Sequence, residues 1–583
     1  MSVLAQGPGW HGRCEAQRIS LSLEAHVFQP HLWVRIQGWF RGDDTMSWLR
    51  QPFQVMTAGG PDARGPRWKE IAVDVLSWLI FLVMVPADHP LVALWQVVDW
   101  AAINRLCAPC YQNRKRGQRA WAPAQLVALL LLFFVLPAPS ESALLRTVAI
   151  VPLYRWFCGF GLFSALPDHS SLYTFRKRVG AERFEALLTG VIGQCVERGL
   201  IDNRLAFFDM MGVPASAHAW TPYERAGLLT YALGRYLEQA GQESIPEALR
   251  QVAAEVAVAV LDNRRLQKDA GIGRRVLQSM ERWTRLRREA PGQALWERVL
   301  EEAVQELRAE PDAPAPALPA DPAAARDWLT GLAKRLKERL PHTRGDRDAR
   351  MGHISVAKLC CGYWLGFLVD SLQSVITAVR VIPLIGNQHG QMVPALDAHQ
   401  ARTGHYPQAV AADSAQDYDW VHVALAWRQV HGHIAARPHP STGSGLGPEY
   451  MLVNEKGQLL CPVGKVMTRH GRRKKGRWLF KASGCRTCPR REVCVPKGQR
   501  SLRARAVYLD VGAHRRWQEN RANTRTAAYK AARAKRFASE GLFGLARRLY
   551  GADKMPYRSL PMNTIAGLMI GTVMNLAVLA REA

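Results

Sequence analysis

The chain lacks any apolar run long enough to cross a bilayer without interruption. The longest, Val127 to Pro137, falls short of the roughly 20 apolar residues that about 30 Å of hydrocarbon requires, so it reads as a buried core helix. The stretch from Thr564 to Ala580 is longer, but Asn575, two threonines and two glycines break it, which suits a helix packed on a sheet. No charged start leads into an apolar core with a small-residue cleavage site, so a cytoplasmic protein without membrane attachment is expected. Acidic residues are scarce beside basic ones: 49 Asp and Glu face 77 Lys and Arg, for a net charge of +28 and a pI near 10.1. Such an excess favours polyanions through counterion release and steering. It is spread along the chain rather than confined to one amphipathic helix, which argues for nucleic acid over a membrane surface.

With 583 residues, 48% of them hydrophobic, the chain can bury two or three cores. The expected divisions are a leader over 1–75, rich in Gly, Pro and polar residues and poorly ordered, a helical unit over 76–200, and an α/β catalytic unit over 201–583. Two stretches interrupt the last: a helical insertion over 220–345 and a basic, cysteine-containing insertion over 440–525. In the first, Val299, Leu300, Ala303, Val304 and Leu307, and then Leu329, Leu332, Leu336 and Leu340, recur at helical spacing. Within the helical unit, Ser170 and Ser171 are placed to cap a helix on which Arg176, Lys177 and Arg178 project as one basic cluster, either solvated or set against DNA phosphates.

Three acids stand out. The apolar run before Asp209 reads as a buried strand with the acid at its end or inside it, and a carboxylate there is costly without compensation. A second short apolar run ends at Asp413, with Asp417 and Asp419 just beyond as substitutes for the same role. Between them, Tyr363 to Val369 and Val375 to Ile382 read as the two strands of a hairpin. Near the C-terminus Arg536, Glu540 and Arg547 are spaced by 4 and 7 residues, which at about 100° per residue puts them on one helix face. The acids therefore gather at one edge of a mixed α/β sheet.

Cysteine is thinly used, 11 residues in all, which makes one cluster conspicuous. Cys461, Cys485, Cys488 and Cys494 follow the pattern C-x23-C-x2-C-x5-C. In the cytoplasm disulfides are disfavoured, so structural zinc (Zn2+) or free thiols are the options.

The chain resembles the DDE transposases of bacterial insertion sequences. Arg536, Glu540 and Arg547 stand where that family has its arginine, glutamate and lysine signature. The GYWLGFLVD hairpin strand precedes the second aspartate, and DRDARMGH from Asp346 to His353 resembles its charged lead-in. VPADHPL from Val85, WAPAQLVALLLLFF from Trp121 and PDHSSLYTFRKRVGAERFEALL from Pro167 look like the family's helical DNA-associated region. The resemblance spans roughly residues 80 to 583 and implies a ribonuclease H-like catalytic core. It further implies Asp209, Asp413 and Glu540 as ligands of magnesium (Mg2+, with manganese, Mn2+, as substitute), with Arg536 and Arg547 on DNA phosphate. Double-stranded DNA, both element ends and target, is the implied partner of a homodimer. A decayed, non-catalytic DNA-binding descendant and a nuclease without strand transfer are the competing readings. Arg533 where the family often has tyrosine, Met210 and Met211 after the first acid, and Ala415 to Tyr418 after the second depart from its pattern.

Overall fold

A computed structural model of the chain describes residues 76–582, apart from 78–79, 82, 112–119, 137, 240–244, 263–270, 290–294, 315–316, 355–358, 386–387, 438–445, 475 and 496–503. Side chains at 286–296, 472–475 and 537–540 are also outside the description. The expected leader over 1–75 lies outside the described residues.

The helical region includes α1 (Pro90–Gln96), α2 (Trp100–Cys107), α3 (Pro123–Val135), α4 (Glu141–Ile150), α5 (Pro152–Phe157) and α6 (His169–Glu197). Helix α3 is apolar all round, starts with proline in its first turn, and has every residue from Pro123 to Phe134 buried, as a core helix must. The cap of α6 is Asp168, whose Oδ1 accepts from the Ser171 N–H at 2.7 Å; the expected serine cap is corrected by this carboxylate. Gly180 at φ 75° kinks the helix.

The central sheet is built from β1 (Leu205–Pro214), β2 (Arg350–His353), β3 (Leu359–Asp370), β4 (Ile376–Pro383), β5 (Ala409–Ala412) and β6 (His431–Ile434). Its order is β2-β3-β1-β5-β6, with β4 also paired to β3. Strands β1, β5 and β6 run parallel, while β3 is antiparallel to β1, β2 and β4. Mixed pairing around a long hairpin strand buried from Gly362 to Asp370 puts helices on both faces.

Between β1 and β2 lie α7 (Pro222–Gln239), α8 (Glu247–Leu261), α9 (Ile272–Glu289), α10 (Leu295–Arg308) and α11 (Pro322–Arg339). They share their own core, Leu300, Val304, Leu307, Leu329, Leu332 and Leu336 among its members. The chain leaves and re-enters the sheet at one point, since the Trp220 N–H donates to the His342 carbonyl at 3.0 Å and the Arg344 N–H to the His218 carbonyl at 2.9 Å. An insertion with paired ends can be long without disturbing the sheet.

Helices α12 (Met392–Thr403) and α13 (Asp419–Trp427) pack Met392, Ala395, Leu396, Val421 and Leu425 against Phe208, Val410 and Ala412 on one sheet face. The cysteine-containing stretch holds the two-stranded β7 (Leu452–Val453) and β8 (Leu459–Leu460), then β9 (Met467–Lys474), β10 (Arg477–Ala482), the short α14 (Arg491–Cys494) and β11 (Ala506–Leu509). The last three strands form a sheet of their own.

Helices α15 (Val511–Asn523), α16 (Ala527–Leu549) and α17 (Leu560–Arg581) close the chain. Helix α17 is long and apolar enough to cross a membrane, but 83% of its most apolar window is buried inside the protein. It packs on β4 and α6. A Cβ on Gly567 or Gly571 would stand 2.7 Å from Val381 or 2.8 Å from Val379, so these glycines let helix and strand approach. Asn575 then satisfies strand backbone, accepting from the Ile376 N–H and donating to its carbonyl, both at 2.8 Å.

Candidate active site

The parallel pairing of β1 and β5 matches Phe208 with Ala412, so Asp209 and Asp413 are the next residues on two adjacent strands. Asp209 lies inside its strand and Asp413 just past the end of its own. Alternation puts Phe207 and Asp209 on one face of β1. Phe207 and Ala411 receive Ala532 of α16 in a small apolar contact, which lays that helix over the two acids. One turn beyond Ala532, Arg536 donates from Nη2 to Asp209 Oδ2 at 2.9 Å. One turn beyond Arg536, Glu540 occupies the next position along the same helix line; its side chain lies outside the described residues. Phe543 continues the contact by stacking on Phe367 of β3 at 5.1 Å.

The two aspartates feel each other. Burial raises the Asp413 carboxyl above its ordinary range, and the Asp209 charge adds to the rise, while Arg536, the Ala415 N–H and His389 oppose it. Its Oδ1 accepts from the Ala415 N–H at 3.0 Å. The site thus sets a single described guanidinium against two carboxylates, an arrangement that leaves negative charge in need of a cation. Hard oxygen donors fixed on adjacent strands suit magnesium or manganese. Among the described residues, however, no three Cys, His, Asp or Glu groups stand at the spacing that would hold an ion.

Asp417 and Asp419 are otherwise engaged. Buried Asp417 accepts from His422 Nε2 at 2.7 Å, from the Arg437 N–H at 2.6 Å and from Asn520 Nδ2 at 2.9 Å. Asp419 is held by both Arg516 Nε and Nη2, at 2.5 and 3.0 Å. Asp413 is therefore the acid of this loop that faces Asp209.

The remaining expected site residues divide. Arg547 is exposed, with Nη2 at 3.4 Å from the Gly212 carbonyl of β1. Lys177 and Arg178 are exposed on α6, the latter with its guanidinium 4.8 Å from the centre of the Tyr111 ring. Arg176 corrects the expectation of a single projecting triplet. It is 2% exposed, ion-paired with Glu141, and its guanidinium lies 3.9 Å from the Tyr557 ring centre, whose hydroxyl also donates to Glu141 at 2.8 Å. Three consecutive residues fan through about 200° of a helix, so they cannot all face solvent. Arg176 falls on the buried line of Leu172, Phe175 and Val179.

His389 was not legible in sequence as a site residue. It reaches the second acid's loop through Nδ1 and the Ala415 carbonyl, 2.8 Å apart, and its ring lies 4.7 Å from Tyr418. No spacing or motif marks it; only the fold brings it there.

Two protein-family profiles match the chain, Transposase domain (DUF772) over residues 80–178 and Transposase DDE domain over residues 460–580. The second contains Arg536, Glu540, Arg547 and all four clustered cysteines. No curated protein and no solved structure matches the chain.

Proposed function

We propose that this chain, a transposase with a DUF772 N-terminal domain and a DDE catalytic domain, cleaves DNA at the terminal inverted repeats of its own element and joins the freed ends to target DNA. The DDE domain implies metal-dependent DNA cleavage and transfer. The observation that carries the finer reading is the meeting of Asp209, inside β1, with Asp413, just past the end of the parallel β5, and with Arg536 of α16. Asp209 and Asp413, with Glu540, would hold magnesium, which supplies Lewis-acid activation of water and of the 3′-hydroxyl.

The protein's own groups then orient the DNA. Arg536, with 15% of its side chain exposed, is close enough to the acids to hold a phosphate beside them and to stabilise charge that develops there. Arg547, on the same helix face and exposed, extends that contact along the backbone. Lys177 and Arg178 offer charge from the helical domain, where phosphate contacts position the duplex without reading its sequence. The Asp417 network ties the second acid's loop to α15 through Asn520, fixing where Asp413 sits. The working unit is a homodimer, one protomer for each element end, acting on DNA in the cytoplasm.

The test is strand cleavage of duplexes carrying the element's terminal repeats, with magnesium, manganese or chelator. The parent chain should nick its end DNA only with metal, and Asp413→Ala should bind that DNA as the parent does without nicking it. A parent that binds but never cuts with either metal, and that Asp413→Ala matches in every respect, would overturn the enzyme reading in favour of a decayed DNA-binding protein.

A further inference from the structure

The four cysteines at 461, 485, 488 and 494 come together without help from the catalytic site. They line one pocket along with Lys465, Arg490, Arg491 and Arg505. All four are free thiols. Cys461, Cys485 and Cys494 are 7%, 9% and 8% exposed.

Their backbone settings are those of tight turns. The Cys461 N–H donates to the Lys465 carbonyl and the Gly464 N–H to the Cys461 carbonyl, both at 2.8 Å, around Gly464 at φ 81°. Gly484, at φ 66°, delivers Cys485, whose sulfur accepts from the Arg505 N–H at 3.4 Å. The Arg491 N–H closes on the Cys488 carbonyl at 3.0 Å and begins the turn of α14 that carries Cys494.

We infer that these four sulfurs are a soft-metal site, with zinc as the ion that their number and the absence of other donors select. Among the described residues, the pocket lining offers no carboxylate and no imidazole, which disfavours magnesium, calcium and manganese and suits a tetrahedral all-thiolate ion. Four thiolates around a divalent cation leave two negative charges, and the four basic residues in the same lining offset them. Among the described residues no three of these sulfurs stand at ligand spacing, so holding the ion requires them to close on it.

The energetic motive is local. The apolar cluster of this stretch holds nine buried residues, and Cys461 and Cys485 are two of them. A core that small rarely sustains a fold without a staple. Zinc supplies one by tying the turn that follows β8 to the loop that follows β10, and so holds the β11-β10-β9 sheet with its exposed Arg469, Arg477 and Lys481. This inference does not depend on the catalytic reading.

The experiment is elemental analysis of the full chain purified without chelator, paired with thiol titration. Expected are about one equivalent of zinc per chain and four thiols that react with a disulfide reagent only after a chelator has removed the metal. Cobalt exchanged into the protein should give thiolate charge-transfer bands and intense tetrahedral d–d bands. Cys488→Ser should lose the metal, while Cys195→Ser, buried in another core, should keep it. Substoichiometric metal after refolding with excess zinc would overturn the site, as would four cysteines that titrate freely or run as disulfides. Should Cys488→Ser fail to fold, the parent's metal content and cobalt spectrum still decide.

Discussion

Two arginine–carboxylate clusters in this protein look alike in sequence and differ in balance. At the first, Arg176 meets Glu141 and the Tyr557 hydroxyl; one positive charge faces one negative charge, and the guanidinium side chain is 3% exposed. At the second, Arg536 meets Asp209 while Asp413 stands beside them, pushed above the usual carboxylate range by burial and by its neighbour. The first cluster is closed and neutral. The second carries surplus negative charge and remains partly open, with Asp209 at 21% and Arg536 at 15% side-chain exposure. A balanced buried pair belongs to the fold, whereas an unbalanced pair held on adjacent strands is strain that a ligand can relieve.

That contrast is easiest to break at Asp413. Replacing it with asparagine should cut strand cleavage by at least about 10⁴-fold, since residues that act as a unit fail together. The folded protein should be no less stable, because folding places this carboxylate where its charge is unfavourable. A denaturation midpoint well below the parent's would show that Asp413 is structural after all.

At Arg176 the outcome should reverse. Arg176→Ala leaves Glu141, 12% exposed, with no charge partner and only the Tyr557 hydroxyl, and the expected loss is about 3 kcal/mol in urea denaturation. Preparations that remain folded should keep the parent's salt dependence of DNA binding. A weakened salt dependence would return Arg176 to the DNA surface.

Arg536→Ala falls between the two. Cleavage should drop by about 10²–10³-fold if its charge serves the transition state. The slope of log affinity against log salt should lessen by about 1, the signature of one lost phosphate contact. Unchanged cleavage with a simple fall in stability would move Arg536 into the class of Arg176.

The smallest effect expected is of pH, away from both clusters. His342 is buried at the root of the helical insertion, and desolvation, with Arg225, Arg350 and Lys337 nearby, pushes it down to about 2 from 6.5. It is neutral in the folded state, where its Nδ1 accepts from the Met351 N–H at 3.0 Å. Below about pH 6.5 the unfolded chain takes up a proton that the folded chain refuses, so stability falls with falling pH by up to ~1.4 kcal/mol per unit. His342→Gln should flatten that slope in denaturation curves collected between pH 5 and pH 7, a window where this histidine differs from its unfolded state. A slope equal to the parent's would assign the acid sensitivity elsewhere.

Local signals in the sequence were enough wherever the deciding contacts are short-range. Helical spacing identified the stripes of α10 and α11, an apolar run bounded by polar residues identified β1 and β3, and the C-x2-C pair marked the thiol pocket, whose members span residues 461 to 494. Offsets of 4 and 7 put Arg536, Glu540 and Arg547 on one helix face because the α-helical period is the same in any context.

Tertiary structure alone decided the rest, because burial and charge balance depend on what arrives from far along the chain. Arg176 could not be told from Lys177 until Glu141 and Tyr557 closed over it. Asp413 could not be told from Asp417 and Asp419 until Asn520, His422 and Arg437 claimed one and Arg516 the other. His389 joined the second acid only through the packing of its loop. The sequence by itself determined which residues could do chemistry. Which of them meet was settled by the pairing of β1 with β5 and by α16 crossing above, contacts between segments more than 100 residues apart that no local pattern encodes.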